Sequence, residues 1–403
     1  NGEDNDLRVW CGPFESLVTE TGRKVLAPNG SWFAQMARGI WQDVYLEYRP
    51  TTYIEDVQVK TSVRQERIAV TATVVNWSER RQGAIRLRIW HEDSVVKEIT
   101  SDEVTLEAGQ STALQFEAAW PDAIYWSPQN PHLYTLQAEL LDQGLPIDGT
   151  ETRFGFREVW LEGHKFYLNG VRVNLRGDAW HYQGFAQQNK EYALNWYRAC
   201  KETGINFVRL HAMPYPTFYL DAADEVGMLI VDESAIYGSS KSTQSDHPRF
   251  IENCRSHLRA LARRDRNHPS VVIWSMQNEM RWVDGRDGYK TAMKELTKSI
   301  KELDDTRPIS YDGDNRLLEP ADMEIISMHY NIDGTIAGWQ KDKPLIFGEH
   351  GKWHYIAPQV CADLVGSGAY LSFESCMESI GLNERLFIEY ARREEVTGVT
   401  PFN

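Results

Sequence analysis

Two glutamates occupy matching places in this sequence. Glu279 follows the apolar run Val271-Val272-Ile273-Trp274-Ser275 and stands directly after Asn278. Glu349 follows Pro344-Leu345-Ile346-Phe347-Gly348. A carboxyl group just past a short apolar run lies at the exit of a strand. Two of them facing each other are what glycosidic-bond hydrolysis requires, since one must be protonated to release the leaving oxygen and the other ionised to attack or to activate water. The same rule picks out further polar groups: Arg176, Asp178, Trp180 and His181 after a first run, Arg209 and His211 after a second, Asp232 and Glu233 after a third. Asp312 follows a fifth run, His329 and Tyr330 a sixth, and His350 stands beside Glu349. A surface unrelated to function would not place ionisable groups so consistently.

The elements that position these residues can be read backwards from them. Seven apolar runs lie at 206–210, 228–231, 271–275, 308–311, 324–328, 344–348 and 396–400, and Val173-Asn174-Leu175 makes an eighth. Amphipathic stretches near 189–203, 216–226, 247–264 and 287–303 separate several of them, so residues 158–403 predict a (β/α)8 barrel whose last strand falls at the end of the sequence. In such a barrel the runs exit at one rim, and the fourth and seventh face each other across it. Asn169-Gly170, between Lys165–Leu168 and Val171–Leu175, is the strongest short hairpin signal and predicts a two-residue turn at the barrel's entrance.

Residues 51–157 have a different texture. Ile54–Thr61, Ile68–Val74 and Ile85–Trp90 alternate apolar and polar residues with a period of two. About seven such strands in about 100 residues predict an antiparallel immunoglobulin-like β-sandwich. Residues 1–50 contain shorter strand-like runs, Leu7–Trp10 and Asp43–Glu47.

Composition removes several classes. The formal net charge of −15 would repel a phosphate backbone, and no basic stripe offsets it, so nucleic acid is not expected as a partner. No stretch approaches the roughly 20 apolar residues of a bilayer span, so no membrane partner is expected either. The five cysteines (Cys11, Cys200, Cys254, Cys361, Cys376) are scattered, which argues against a disulfide framework and a zinc cluster. The 14 Trp and 18 Tyr are mostly core, with a few free to stack on sugar faces. No signal peptide opens the sequence, which leaves the compartment, cytoplasmic, periplasmic or secreted, open.

The residues then resemble a known family, glycoside hydrolase family 2, which includes β-galactosidases, β-glucuronidases and β-mannosidases. Asn267-His268-Pro269-Ser270-Val271-Val272-Ile273-Trp274-Ser275-Met276-Gln277-Asn278-Glu279 is similar to its acid/base motif, and Lys343 to Gly351 to its nucleophile strand. Gly39–Leu46 resembles the last strand of the family's N-terminal jelly-roll sandwich, and Trp126–Tyr134 a segment late in its immunoglobulin-like domain. Phe154-Gly155-Phe156-Arg157 resembles its hinge and Phe166–Gly170 its opening hairpin. The resemblance implies a retaining β-glycosidase with Glu279 as acid/base and Glu349 as nucleophile. Asn278 would bond the sugar's 2-hydroxyl, Tyr330 would orient the nucleophile and Arg209 would favour its charge. His211, His181, Trp180 and Asp178 would line the substrate pocket. The substrate would be a glycoside, oligosaccharide or polysaccharide, and an exposed sandwich edge is compatible with homo-oligomers.

Two departures qualify this. After the first strand, galactosidases and glucuronidases often carry Asn, a basic residue, His and Glu, whereas Ala179-Trp180-His181-Tyr182 keeps only the His. Ile236-Tyr237-Gly238-Ser239 lacks the Glu and His that bind magnesium in metal-dependent galactosidases, so neither a catalytic metal nor another cofactor is expected. A β-galactoside or β-glucuronide, cleaved from the chain end, stands ahead of a β-mannoside. The rivals are an inverting hydrolase and an inactive carbohydrate-binding relative.

Overall fold

The structure is a computed structural model, which describes residues 44–180, 184–237, 247–280, 287–313, 324–330, 334–351 and 358–402, with a few isolated positions nearer the N-terminus. The expected end of a jelly-roll sandwich at 1–50 lies mostly outside the described residues, as do His181, Tyr182 and Gly238–Ser239; residues 44–50, which are described, form no strand, unlike the expectation for Asp43–Glu47.

Eight strands form the sandwich: β1 (Thr52–Ser62), β2 (Arg67–Asn76), β3 (Arg81–His91), β4 (Ser94–Thr100), β5 (Val104–Leu106), β6 (Gln110–Ala119), β7 (Tyr134–Asp142) and β8 (Leu145–Phe154). One sheet runs β1-β2-β6; the other runs β4-β3-β7-β8, with β5 paired to β3. The period-two pattern explains the layers. Ile85, Leu87 and Ile89 of β3 stand opposite Leu140, Ala138 and Leu136 of β7, all buried between the sheets with Ile68, Val70 and Phe116. The intervening Arg86 and Arg88 face outward and pair with Glu139 and Glu98.

A small meander follows: β9 (Val159–Glu162), β10 (Lys165–Leu168) and β11 (Val171–Arg172). Asn169 and Gly170 have φ of 52° and 85°, the left-handed pair that a tight hairpin requires, so the expected turn is present. The sandwich docks on the barrel through the segments singled out by resemblance. Trp126 is fully buried, and its indole N–H donates to the Asp224 carbonyl at 2.9 Å. A Cβ on Gly155 would lie 2.6 Å from Trp126 Cβ and 2.8 Å from Pro269 Cβ, so only glycine fits this joint. Asn267 bridges to β1, accepting from the Val59 N–H and donating to the Val57 carbonyl.

The barrel closes in the order β12 (Leu175–Trp180), β13 (Phe207–Leu210), β14 (Leu229–Glu233), β15 (Val271–Asn278), β16 (Ile309–Asp312), β17 (Ile325–His329), β18 (Leu345–His350) and β19 (Gly398–Pro401), all parallel. Its first strand starts at Leu175, not at Val173 as the apolar pattern suggests, because Val173 still bonds back to Phe166 of the meander. Several strands also run one to three residues past the apolar runs, so Glu233, Asn278, Asp312 and His329 are themselves strand ends. Leu175, Phe207, Leu229, Ile273, Ile325 and Ile346 fill the interior. Outside the strands pack α1 (Lys190–Glu202), α2 (Thr217–Val226), α3 (Pro248–Asp265) and the helices at Asp287–Lys301 and Phe373–Arg393. Local signals set their ends: Asn189 accepts from the Tyr192 N–H to cap α1, and Gly227 takes φ 78° to stop α2. No described helix is long and apolar enough to cross a membrane.

Candidate active site

Arg209 is the hub of the barrel's C-terminal mouth. It points inward from β13, 1% exposed, and all three of its guanidinium nitrogens donate. Nε and Nη2 meet the two oxygens of Glu233 at 3.0 and 2.8 Å, and Nε lies 3.1 Å from Asp312 Oδ2. Nη1 reaches Glu349 Oε1 at 2.9 Å and the Gly348 carbonyl at 3.2 Å, and Nη2 donates to Asn278 Oδ1 at 3.0 Å. Burial works against its charge, but Asp312, Glu233 and Glu349 outweigh it and hold Arg209 well above its ordinary value.

That hub fixes its neighbours. Arginine can only donate, so the Asn278 oxygen must face it, and the Asn278 amide nitrogen then faces His211 Nε2 at 3.2 Å. Burial, with the charges of Arg209 and His329, holds His211 well below its ordinary range, hence neutral. A neutral His211 accepts at Nε2 from Asn278, so its 3.3 Å approach to Glu349 Oε1 carries no donated proton. Asn278 keeps a second amide hydrogen for a ligand.

His329 makes the opposite choice. Its Nε2 bonds Asp312 Oδ1, and its Nδ1 lies 2.7 Å from Glu279 Oε1 and 3.2 Å from Glu349 Oε2. With the Asp312 carboxylate at one nitrogen and Glu279 and Glu349 at the other, the imidazolium, which donates from both, is the favoured form. Burial opposes this, yet the Glu349 charge and the bonds to Asp312 and Glu279 push His329 up to about 10. Burial would likewise raise Asp312, but Arg209 and His329 hold it below the usual carboxylate range. Glu233, fully buried, is pushed up to about 7 by that burial, with Arg209 opposing and Asp312 adding to it.

Glycines make the room. A Cβ on Gly348 would sit 2.2 Å from Asp312 Oδ1, and one on Gly313 would sit 2.7 Å from the His329 ring. The backbone here is also strained. Ala212, Glu279 and Tyr330 each follow a strand end and adopt φ of 51°, 50° and 58°. For residues with a Cβ this costs on the order of 1 kcal/mol or more apiece. Hydrogen bonds to neighbouring strands enforce it: Ala212 N–H to Glu233, Glu279 N–H to the Asp312 carbonyl, and Tyr330 N–H to the Glu349 carbonyl.

The structure therefore gathers Arg209, His211, Asn278, Glu279 and Glu349 at one site. Glu349 is almost wholly buried, whereas the Glu279 side chain is 23% exposed at the lip. Tyr330 adjoins them, its ring edge-on to His329 with centroids 6.1 Å apart. Asp178 is not brought in. It is in register with Val208, whose side chain packs among the helices, and its charge helps raise the Cys200 thiol of α1, which burial already pushes up to about 12. A single-residue alternation turns it outward. Trp180 closes β12 beside Leu210, and His181 lies outside the described residues. Asp312 and His329 were legible as strand-end polar residues, but nothing in the sequence showed that they pair. Glu279, His329 and Glu349 place possible ligand atoms within 4.8 Å of one another, with His329 Nδ1 lying against both carboxylates. Asp221, Asp224 and His268 form a second such group, in which Asp224 already accepts from His268 and from the Ser270 N–H, and Asp221 from Arg153.

The chain as a whole resembles known proteins. Residues 156–354 match the model of the glycosyl hydrolases family 2 TIM barrel domain, and residues 52–157 a second model of glycosyl hydrolases family 2. A β-galactosidase of Oenococcus oeni is 28% identical over 327 residues, 76% of this chain and 31% of that protein. Among solved structures, a β-galacturonidase from Eisenbergiella tayi bound to galacturonate superposes with a TM-score of 0.72 at 22% identity, covering 88% of this chain and 65% of that one. A Bacteroides uniformis β-glucuronidase does so with 0.71 at 22% identity, covering 88% and 47%. These superpositions speak to the fold. The chain spans about a third of the length of the curated relatives it matches.

Proposed function

The chain belongs to glycosyl hydrolases family 2, and from that premise we propose that it carries the catalytic centre of a retaining β-glycosidase, with Glu349 as nucleophile and Glu279 as acid/base. One observation carries the reading. One carboxylate oxygen of Glu279 and one of Glu349 lie within 4.8 Å of each other, with His329 Nδ1 between them, a closeness that favours double displacement, whose carboxyl groups stand about 5–5.5 Å apart, over inversion, which needs roughly 6.5–9.5 Å for an attacking water.

Burial divides the roles. Glu349 sits at the bottom with Arg209 bonded to one oxygen, placed to attack an anomeric carbon from below. Glu279 sits at the lip, where a leaving-group oxygen and later a water can reach it. In the first step the Glu349–carbon bond forms, the glycosidic carbon–oxygen bond breaks, and the Glu279 proton goes to the leaving oxygen. In the second step water gives its proton to Glu279 while its oxygen displaces Glu349. The spare hydrogen of the Asn278 amide is available to the sugar's 2-hydroxyl.

The substrate is a β-galactoside or β-glucuronide cleaved from the chain end; the names of the relatives support these two classes over a β-mannoside. A panel of aryl β-galactoside, glucuronide, mannoside, glucoside and fucoside tests it. Turnover of the galactoside or glucuronide above the rest is the expected result, and selective mannoside cleavage would overturn the assignment.

A further inference from the structure

Double displacement moves a negative charge between the two carboxylates. Before the first step Glu349 carries it and Glu279 carries a proton; in the glycosyl-enzyme Glu349 is a neutral ester and Glu279 is the anion. A donor fixed on either residue would help one step and hinder the other. The His329 Nδ1–H stands 2.7 Å from Glu279 and 3.2 Å from Glu349, so a change of a few tenths of an ångström moves it from one partner to the other.

We propose that His329, held through Nε2 by Asp312, is a positioning residue whose single Nδ1–H follows the charge from Glu349 to Glu279 and back during the reaction. The inference rests on the retaining reading above. Three features support it independently. Asp312 is itself tied down by Ser327 Oγ at 3.0 Å and by Arg209, so the ring is anchored at its far side. Gly313 and Gly348 leave space that any side chain would take from the His329 ring and the Asp312 carboxylate. Glu279, directly after β15, and Tyr330, directly after His329, both hold left-handed backbone, so the residues around that proton are fixed at φ of 50° and 58°.

The titratable groups against His329 are His211 after β13, Glu279 after β15, Asp312 of β16 and Glu349 of β18, with the Tyr330 ring beside it; Arg209 stands one contact further away, bonded to Asp312 and Glu349, and Glu233 beyond it, bonded to Arg209. Arg209 and Glu233 complete one another and His211 is neutral, so His329 is the mobile-proton cation of the set. Its charge favours ionisation of whichever carboxylate it touches.

The test uses the whole chain and a 2,4-dinitrophenyl 2-deoxy-2-fluoro β-glycoside of the class the panel selects, with wild type, His329→Phe and His329→Gln. Formation and hydrolysis of the covalent adduct are timed separately, and the pH dependence of each is recorded. His329→Phe should slow both steps by roughly ten- to hundredfold, the worth of a charged hydrogen bond. It should also move the acid limb of formation, set by Glu349, and the acid limb of hydrolysis, set by Glu279, to higher pH by about one unit. His329→Gln keeps an N–H without the charge, so it should lose less rate and show the same alkaline displacement. A role confined to packing would reduce folded protein and leave the limbs where they are. Should His329→Phe fail to fold, His329→Gln decides. Limbs unmoved in the folded variant, or a loss confined to one step, overturn the inference while labelling of wild type leaves the retaining reading intact. Wild type that forms no adduct overturns both.

Discussion

The barrel buries ionised side chains at both of its ends, and the two clusters are built by opposite rules. At the floor, where the sandwich docks, Arg157, Arg266, Arg307 and His268 meet Asp56, Asp224 and Asp304. Their spare donors go to backbone carbonyls: Arg157 to those of Pro269 and Val271, Arg307 to those of Val271, Arg266 and His268. None of these residues has a positive φ. At the mouth, four carboxyl groups (Glu233, Glu279, Asp312, Glu349) share two cations, Arg209 and His329, and the backbone is left-handed at three non-glycine positions. Burial of charge therefore says little about function. An excess of one sign, held on strained backbone, is what separates a cluster arranged for chemistry from one that fastens two domains.

Substitutions should fall on opposite sides of this division. Glu349→Gln should cut turnover of aryl β-glycosides by more than about a thousandfold, a barrier rise above about 4 kcal/mol, with the melting temperature unchanged or raised because one like charge leaves the mouth. Glu279→Gln should cost about 10²–10⁴ with poor leaving groups and far less with 2,4-dinitrophenolate, which needs no proton. At the floor, Arg307→Met should leave Asp304 buried without its cation and cost about 3–5 kcal/mol of stability in denaturant unfolding, while activity per folded molecule stays unchanged. A floor variant that kept its stability and lost turnover would erase the distinction.

The smallest effect is one of pH. His329 lies above its ordinary value of 6.5, at about 10, so its contribution to stability is complete below about 6.5 and is lost as pH rises through about 10. Asp304 is depressed: burial would raise it, but Arg307 and the bonds from Thr306 and Trp274 dominate. Its contribution is present above the usual carboxylate range and lost on acidification. Melting curves should thus lose the His329 contribution on the alkaline side and the Asp304 contribution, together with that of Asp312, on the acid side. Arg307→Met should flatten the acid limb and His329→Gln the alkaline one.

Much of the architecture was legible because it rests on short-range rules. Asn169-Gly170 dictated a left-handed turn, the alternation in β3 and β7 dictated two faces, and the apolar runs located all eight barrel strands. The mouth was legible in outline, since Glu279, Glu349, Asn278 and Arg209 stand at strand exits. What escaped depends on distances between residues far apart in sequence. Asp178 and Ala179 differ by one position yet face the helices and the interior, a choice fixed by pairing with β13. The Asp312–His329 contact joins two strands, and its space is made by Gly348 of a third. No spacing in the chain announces such a contact.

Covalent trapping tests the central claim most directly. The chain is incubated with a 2-deoxy-2-fluoro β-glycoside bearing a good leaving group, digested, and the modified peptide sequenced by mass spectrometry. A single adduct of one fluorosugar on Glu349, absent from Glu349→Gln, is the result expected of a retaining nucleophile. Turnover of aryl β-glycosides without any adduct, or an adduct on another carboxylate, would contradict it.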